Sequence, residues 1–197
     1  MAARTMSHSA ISIKDICYSA IFAAIIAVLA QLSIPLPGGV PLTLQTLAVM
    51  LAGVILGAKN GCIAVIIYIL LGAVGLPVYA GFKGGLSTIL GPTGGFIVSF
   101  WTISLCAGLG MRFGSRAKRN LDSLKLYYFF IAIGILIGAV CNYIIGVVWF
   151  STVTGNTSLN AIKLCVLPFV VTDLIKIVLA TALGPMLRNS LIKNGLM

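Results

Sequence analysis

The chain has 197 residues, 60% of them hydrophobic and only 8% charged, with 13 Lys and Arg against 3 Asp and Glu for a formal net charge of +10. A soluble domain is about 25% charged, so the carboxylates of Asp15, Asp122 and Asp173 are too few to help build a solvated surface, and lipid must surround most of the chain. The basic excess does not mark a nucleic-acid partner, because the cations fall between apolar runs, as in cytoplasmic membrane loops, and not on one face of a folded domain.

Residues 1–15 read as an N-terminal cytoplasmic segment. Lys14 precedes an apolar run that reaches Ile34, and more such runs follow, so the first is predicted to be a retained membrane helix and not a cleaved signal. That helix covers Ile16–Ile34 and stops at IPLP, where two prolines end it. An irregular segment, Pro35–Leu42, leads to a second helix over Thr43–Ala58, and Lys59-Asn60-Gly61 reads as a tight turn. The third helix, Cys62–Val74, is too short to cross lipid fully at ~1.5 Å per residue. A glycine-rich stretch, Gly75–Gly95, follows with GLPVYAGFKGG and GPTGG, then a fourth helix over Phe96–Phe113. A basic loop carries Arg112, Arg116, Lys118 and Arg119; the fifth helix spans Leu124–Phe150. After a polar loop, Ser151–Asn160, the sixth helix covers Ala161–Leu187, and 188–197 form a cytoplasmic tail. The fold class is thus an all-α integral membrane bundle of six transmembrane helices, one membrane domain with its binding bundle at 16–187.

Charge fixes the predicted orientation. With both termini inside, the cytoplasmic ends collect Arg4, Lys14, Lys59, Arg112, Arg116, Lys118, Arg119, Lys125, Arg188 and Lys193, leaving only Lys83, Lys163 and Lys176 of the 13 basic residues elsewhere.

Catalytic and metal chemistry find no support. Cys17, Cys62, Cys106, Cys141 and Cys165 lie in or beside apolar runs with no C-x-x-C pair, which is the pattern of small apolar filler. The one histidine, His8, sits in the N-terminal tail, so no metal pair and no membrane Ser–His couple can form. No Gly-Lys dipeptide occurs, which removes the G-x-x-x-x-G-K-[ST] nucleotide loop. The expectation is a protein that is not an enzyme and holds no cofactor. Asn156-Thr157-Ser158 matches a glycosylation acceptor, but a three-residue match in a polar loop is weak.

Asp173 and Lys176 stand three apart on the sixth helix, hence on one face. A charge at mid-bilayer costs ~2.5–3.5 kcal/mol, so such a pair faces the bundle interior or a wet cavity, as a functional site or as a mutually neutralising structural pair. Asp173 lies ~22 Å from Arg188 along the helix at 1.5 Å per residue, in the outer third of the membrane. Asn142 and Tyr143 lie about two turns from Trp149, an expected interfacial anchor. Gln45 opens the second helix at the same level, and Lys83 sits in the glycine-rich loop beside Gly84 and Gly85, whose backbone can approach a ligand or a helix closely. Each polar group alone could be an interhelical hydrogen bond. Their shared depth favours a pocket open to the outside, with the loop at Gly75–Gly95 either a packed turn or a re-entrant cover.

Small residues recur at helical spacing in Ala20, Ala23, Ala24 and Ala27, in Gly53–Gly57 and in Gly134–Gly138. Such stripes pack the protein's own bundle or receive a second membrane subunit.

The stretches IPLPGGVPLTLQTLAVMLAGVILG and YILLGAVGLPVYAGFKGGLSTILGPTGGFIVSF, with NYIIGVVW and PFVVTDLIK, resemble the BioY family, the biotin-binding S components of energy-coupling factor (ECF) transporters. The resemblance runs from Ile16 to Leu187 and is most specific in the middle. It implies a multi-pass protein of the bacterial plasma membrane that captures biotin at the extracellular side, beneath the loops after the first and third helices. It implies that Asp173 and Lys176 bind the ureido ring, that Gln45, Lys83 and Tyr143 lie on site-lining segments, and that Ala20 and Ala24 dock onto the transmembrane coupling (T) subunit. Two ATPase subunits would supply the energy, in keeping with the missing nucleotide loop. Asn142 departs from the family pattern, where an apolar residue is more usual. An S component for thiamine or riboflavin, and a stand-alone carrier using Asp173 as a proton site, are the competing readings.

Overall fold

The computed structural model describes residues 12–36 and 39–196; the tail holding Arg4 and His8, most of the 1–15 segment, and Pro37 of the IPLP stretch lie outside the described residues. Ser12 caps α1 (Ile13–Gln31): its hydroxyl accepts from Lys14 N, and Asp15 accepts from Ser12 N at 3.1 Å. This reciprocal cap starts the helix three residues before the predicted Ile16. The chain leaves α1 at Leu32 to form β1 (Ser33–Ile34), which pairs antiparallel with β2 (Leu42–Thr43) in the register Ser33↔Thr43 and Ile34↔Leu42. A two-stranded ribbon therefore replaces both the predicted helix end and the irregular segment.

The helical stretch α2 (Gln45–Ala73) is not straight. Gly57 has φ 83° and ψ 173°, a conformation open essentially to glycine alone. Gln45 Nε2 lies 2.7 Å from Tyr68 Oη, although 23 residues of unbroken helix would part them by ~35 Å. The chain reverses at Gly57, and the arms 45–56 and 58–73 run antiparallel. They are so close that a Cβ on Gly61 would lie 2.9 Å from Gly53 Cα. The predicted reversal at Lys59-Asn60-Gly61 is corrected: those residues are helical, and the turn takes a single residue.

A loop follows, tied by a bridge between Tyr79 and Lys83, then the short α3 (Leu86–Leu90). Next comes α4 (Gly94–Leu121), the most enclosed helix, packed chiefly against α5 (Leu124–Thr154) and the α2 hairpin. The predicted basic loop proves helical, since Arg112, Arg116, Lys118 and Arg119 occupy the last turns of α4, and cations suit a helix C-terminus. Gly134 and Gly138 of α5 meet α4 backbone, where an added Cβ would fall 2.5 Å from Cys106 O and 2.7 Å from Ile103 Cα. These stripes thus pack the protein's own bundle. The predicted sixth helix is divided at Val166 into α6 (Ser158–Cys165), capped by Thr157, and α7 (Leu167–Lys193), whose Pro168 sits in the first turn where no amide donor is required.

Five of these helices, α1, α2, α4, α5 and α7, are long and apolar enough to cross a membrane. Their outward faces stay apolar, as at Ile21, Ile25 and Val28 of α1 and Val171, Leu174, Ile175 and Val178 of α7. A helix apolar on its open side and packed on the other is built for lipid. The fold is an all-α membrane bundle.

Candidate functional site

Three helices place the charged pair. On α7, Val171, Leu174, Ile175 and Val178 face outward, so Asp173 and Lys176 turn inward, and they are 7% and 5% exposed. Lys176 Nζ lies 2.8 Å from Asp173 Oδ1. From α5, Tyr143 donates its hydroxyl proton to Asp173 Oδ2 at 2.5 Å. From the first arm of α2, Thr46 accepts from Lys176 Nζ at 2.9 Å and lies 3.4 Å from Asp173 Oδ1 as a donor. Each group offsets the burial cost of its neighbours, as a buried ion pair requires. An ammonium has three protons; two are used here, so one donor and further carboxylate lone pairs remain for a guest.

These groups form one wall of a cavity holding about 750 Å³ of empty space, its opening included. Its polar rim gathers six of the sequence-predicted residues: Gln45, Lys83, Asn142, Tyr143, Asp173 and Lys176. Phe96, Phe100 and Phe169 give it an apolar side, and Gly39, Val40 and Pro41 of the ribbon turn bound it at one end. Gly84 and Gly85 do not line it. Gly84 packs on the Leu76 carbonyl and Gly85 N donates to Gly72 O at 2.7 Å, so both shape the loop instead.

The lining residues differ in how far they are already engaged. Gln45 Nε2 bonds Tyr68 Oη, whose own proton goes to Val78 O at 3.3 Å, which ties the α2 hairpin to the loop. Asn142 spends both amide protons on α4, toward Phe96 O at 2.9 Å and Ser99 Oγ at 2.8 Å. Its first duty is therefore to join two helices. Lys83 is exposed, is held in place by its backbone bridge to Tyr79, and is among the residues that line the cavity, which puts the residue at its mouth. The buried ring of Tyr79 stands edge-on to Tyr68 at 5.6 Å, its hydroxyl donates to Ile69 O at 2.6 Å, and burial pushes its pKa up to about 12.

Two participants escaped the sequence reading. Thr46 left no signal, because a hydroxyl is cheap in a membrane helix, where it can bond its own backbone. Gln31 did carry one, an amide among apolar residues just before the proline stop. Its Nε2 donates to Val78 O and Tyr79 O, both at 3.2 Å, and its Oε1 accepts from Phe82 N at 2.8 Å, so one side chain fastens the loop over the cavity. Phe82 has a φ of 55°, uncommon outside glycine, at the point so fastened.

The expected docking residues are placed differently. Ala20 and Ala24 lie on the exposed side of α1, away from the cavity, while Ala23 is buried against the bundle.

The sequence matches the BioY family over residues 3–193. It is 40% identical to "Probable biotin transporter BioY" of Pyrococcus horikoshii, over 90% of this chain and 98% of that protein. It is 39% identical to "Biotin transporter BioY" of Rhizobium etli, over 88% of this chain and 92% of that one. The fold is similar to the crystal structure of the S-component for biotin from an ECF-type ABC transporter, with a TM-score of 0.79, 30% identity, and coverage of 89% of this chain and 91% of that chain.

Proposed function

The chain belongs to the BioY family, and on that premise we propose that the cavity beside Asp173 and Lys176 holds biotin. The protein is a biotin S component of an ECF-type ABC transporter, a multi-pass membrane protein and not an enzyme. Asp173 accepts from a ureido N–H, and Lys176 gives its spare proton to the ureido carbonyl. The observation that carries this reading is the Tyr143–Asp173–Lys176–Thr46 cluster, which holds a charged acceptor and a charged donor side by side at a cavity wall. Charge-assisted bonds of this kind are roughly twice as strong as neutral ones, and a cyclic urea supplies both partners. Phe96, Phe100 and Phe169 receive the apolar bicycle and chain, and Lys83 at the mouth meets the valerate carboxylate.

The two arms of α2 count as separate crossings, which makes six with both termini on one side. That side is cytoplasmic by the distribution of Lys and Arg, so the cavity opens outward. The transmembrane coupling subunit docks on the face carrying Ala20 and Ala24, where small side chains allow close approach, and two ATPase subunits drive import. A calorimetric titration of purified protein with biotin, thiamine and riboflavin tests the assignment. Saturable heat with biotin alone is expected; tighter binding of either other vitamin would overturn it.

A further inference from the structure

At the end of the bundle opposite Asp173 lies a second hollow, with about 1480 Å³ of empty space including its open side. It is formed where the reversal of α2 at Gly57–Asn60 meets the last turns of α4 and the end of α7. Four guanidinium-bearing residues line it: Arg112, Arg116 and Arg119 of α4, at spacings of four and three that put them on one helix face, and Arg188 of α7. None of the four is ion-paired among the described residues. Asp15, the one carboxylate among the described lining residues, already accepts from Ser12 N at 3.1 Å and Asn60 Nδ2 at 2.6 Å, so it caps α1 and ties it to the hairpin. Arg188 donates to Ile55 O and is thereby fixed at the rim. Lys118, on another face of α4, leans over the Tyr127 ring at 5.4 Å and does not line the hollow.

We propose that this hollow binds the phosphate of an anionic phospholipid headgroup. A scatter of solvated cations would satisfy the positive-inside bias just as well, but here planar donors converge on one concavity. The guanidinium fork matches phosphate oxygens two at a time. The second arm of α2 also begins here, and the first amides of a helix point out of its end toward an anion. The lipid source is favoured by what flanks the arginines. Phe113, next to Arg112, and Leu187, next to Arg188, are exposed apolar side chains of the lipid-facing belt. Leu56 and Leu109 form an apolar floor. The cations thus sit at the edge of the hydrocarbon layer, the depth of a headgroup phosphate, and basic pockets between membrane helices bind headgroups of this kind.

The test uses the full chain in mixed micelles with equal amounts of phosphatidylglycerol and phosphatidylcholine, reading bound lipid by native mass spectrometry. Phosphatidylglycerol should be retained in preference, and Arg112→Gln, Arg116→Gln and Arg119→Gln should each reduce that preference by roughly fivefold. Biotin titration of the variants reports their fold, because these residues lie far from the cavity beside Asp173. Equal retention of the two lipids by the unaltered protein overturns the proposal without reference to any variant. Displacement of phosphatidylglycerol by millimolar inorganic phosphate also overturns it, assigning the hollow to a free anion instead.

Discussion

Tyr143 on α5 and Asp173 on α7 meet hydroxyl to carboxylate at 2.5 Å, on the oxygen that Lys176 leaves free. This bond joins two helices at the cavity wall and aims the carboxylate. Tyr143→Phe removes one bond to a charged acceptor, worth ~1.5–3 kcal/mol, so biotin affinity should fall about tenfold or more. Calorimetry measures it, and an unchanged Kd would show that Tyr143 does not position the carboxylate.

Asp173→Asn keeps shape but removes the charge that neutralises Lys176. Biotin binding should weaken by at least about tenfold while the protein still elutes as a folded species, because a charged acceptor is lost from a buried site. Affinity equal to the parent would take Asp173 out of the site.

Lys83 makes a different prediction, because it is exposed and stands at the mouth. Exposed ion pairs contribute ~0.2–1 kcal/mol, so Lys83→Gln should weaken biotin by up to about fivefold. A neutral biotin amide, lacking the carboxylate, should bind the variant and the parent alike. Equal losses for both ligands would mean that Lys83 does something other than meet the carboxylate.

Ala20→Trp fills the exposed small-residue face of α1 without touching the cavity. Biotin titration should be unaltered, whereas ATP-driven uptake in cells holding the partner subunits should be lost. Normal uptake would move the docking face elsewhere.

Gly57→Ala places a side chain at φ 83° and ψ 173°, where nothing crowds the added atom but the backbone itself is strained. Such a conformation costs ~1–3 kcal/mol for a residue other than glycine. The thermal midpoint in detergent should drop, and an unchanged midpoint would mean that the reversal relaxes elsewhere.

Much of the fold was legible because lipid imposes one rule on every span, and the apolar runs announce themselves. The boundaries were less so. Lys59 and Asn60 look like a turn by composition, yet the α2 reversal is decided by one backbone conformation at Gly57, a residue that also fitted a packing stripe. Arg112 to Arg119 look like a loop because they are charged, but a helix that runs on past the lipid can carry charge freely. At the site, charge and amides in apolar surroundings pointed to Asp173, Lys176, Gln45 and Asn142. The fastening of the roof by Gln31 depends on which loop backbone passes beneath it, and linear sequence does not encode that proximity.

The single-residue bend at Gly57 leaves no slack between the arms of α2. Gln45 and Thr46 at one tip and Tyr68 near the other are therefore tethered like the prongs of a tuning fork, and one cannot swing without its twin. The hairpin thus gives the cavity one stiff wall, on which Gln45 is held in place by Tyr68.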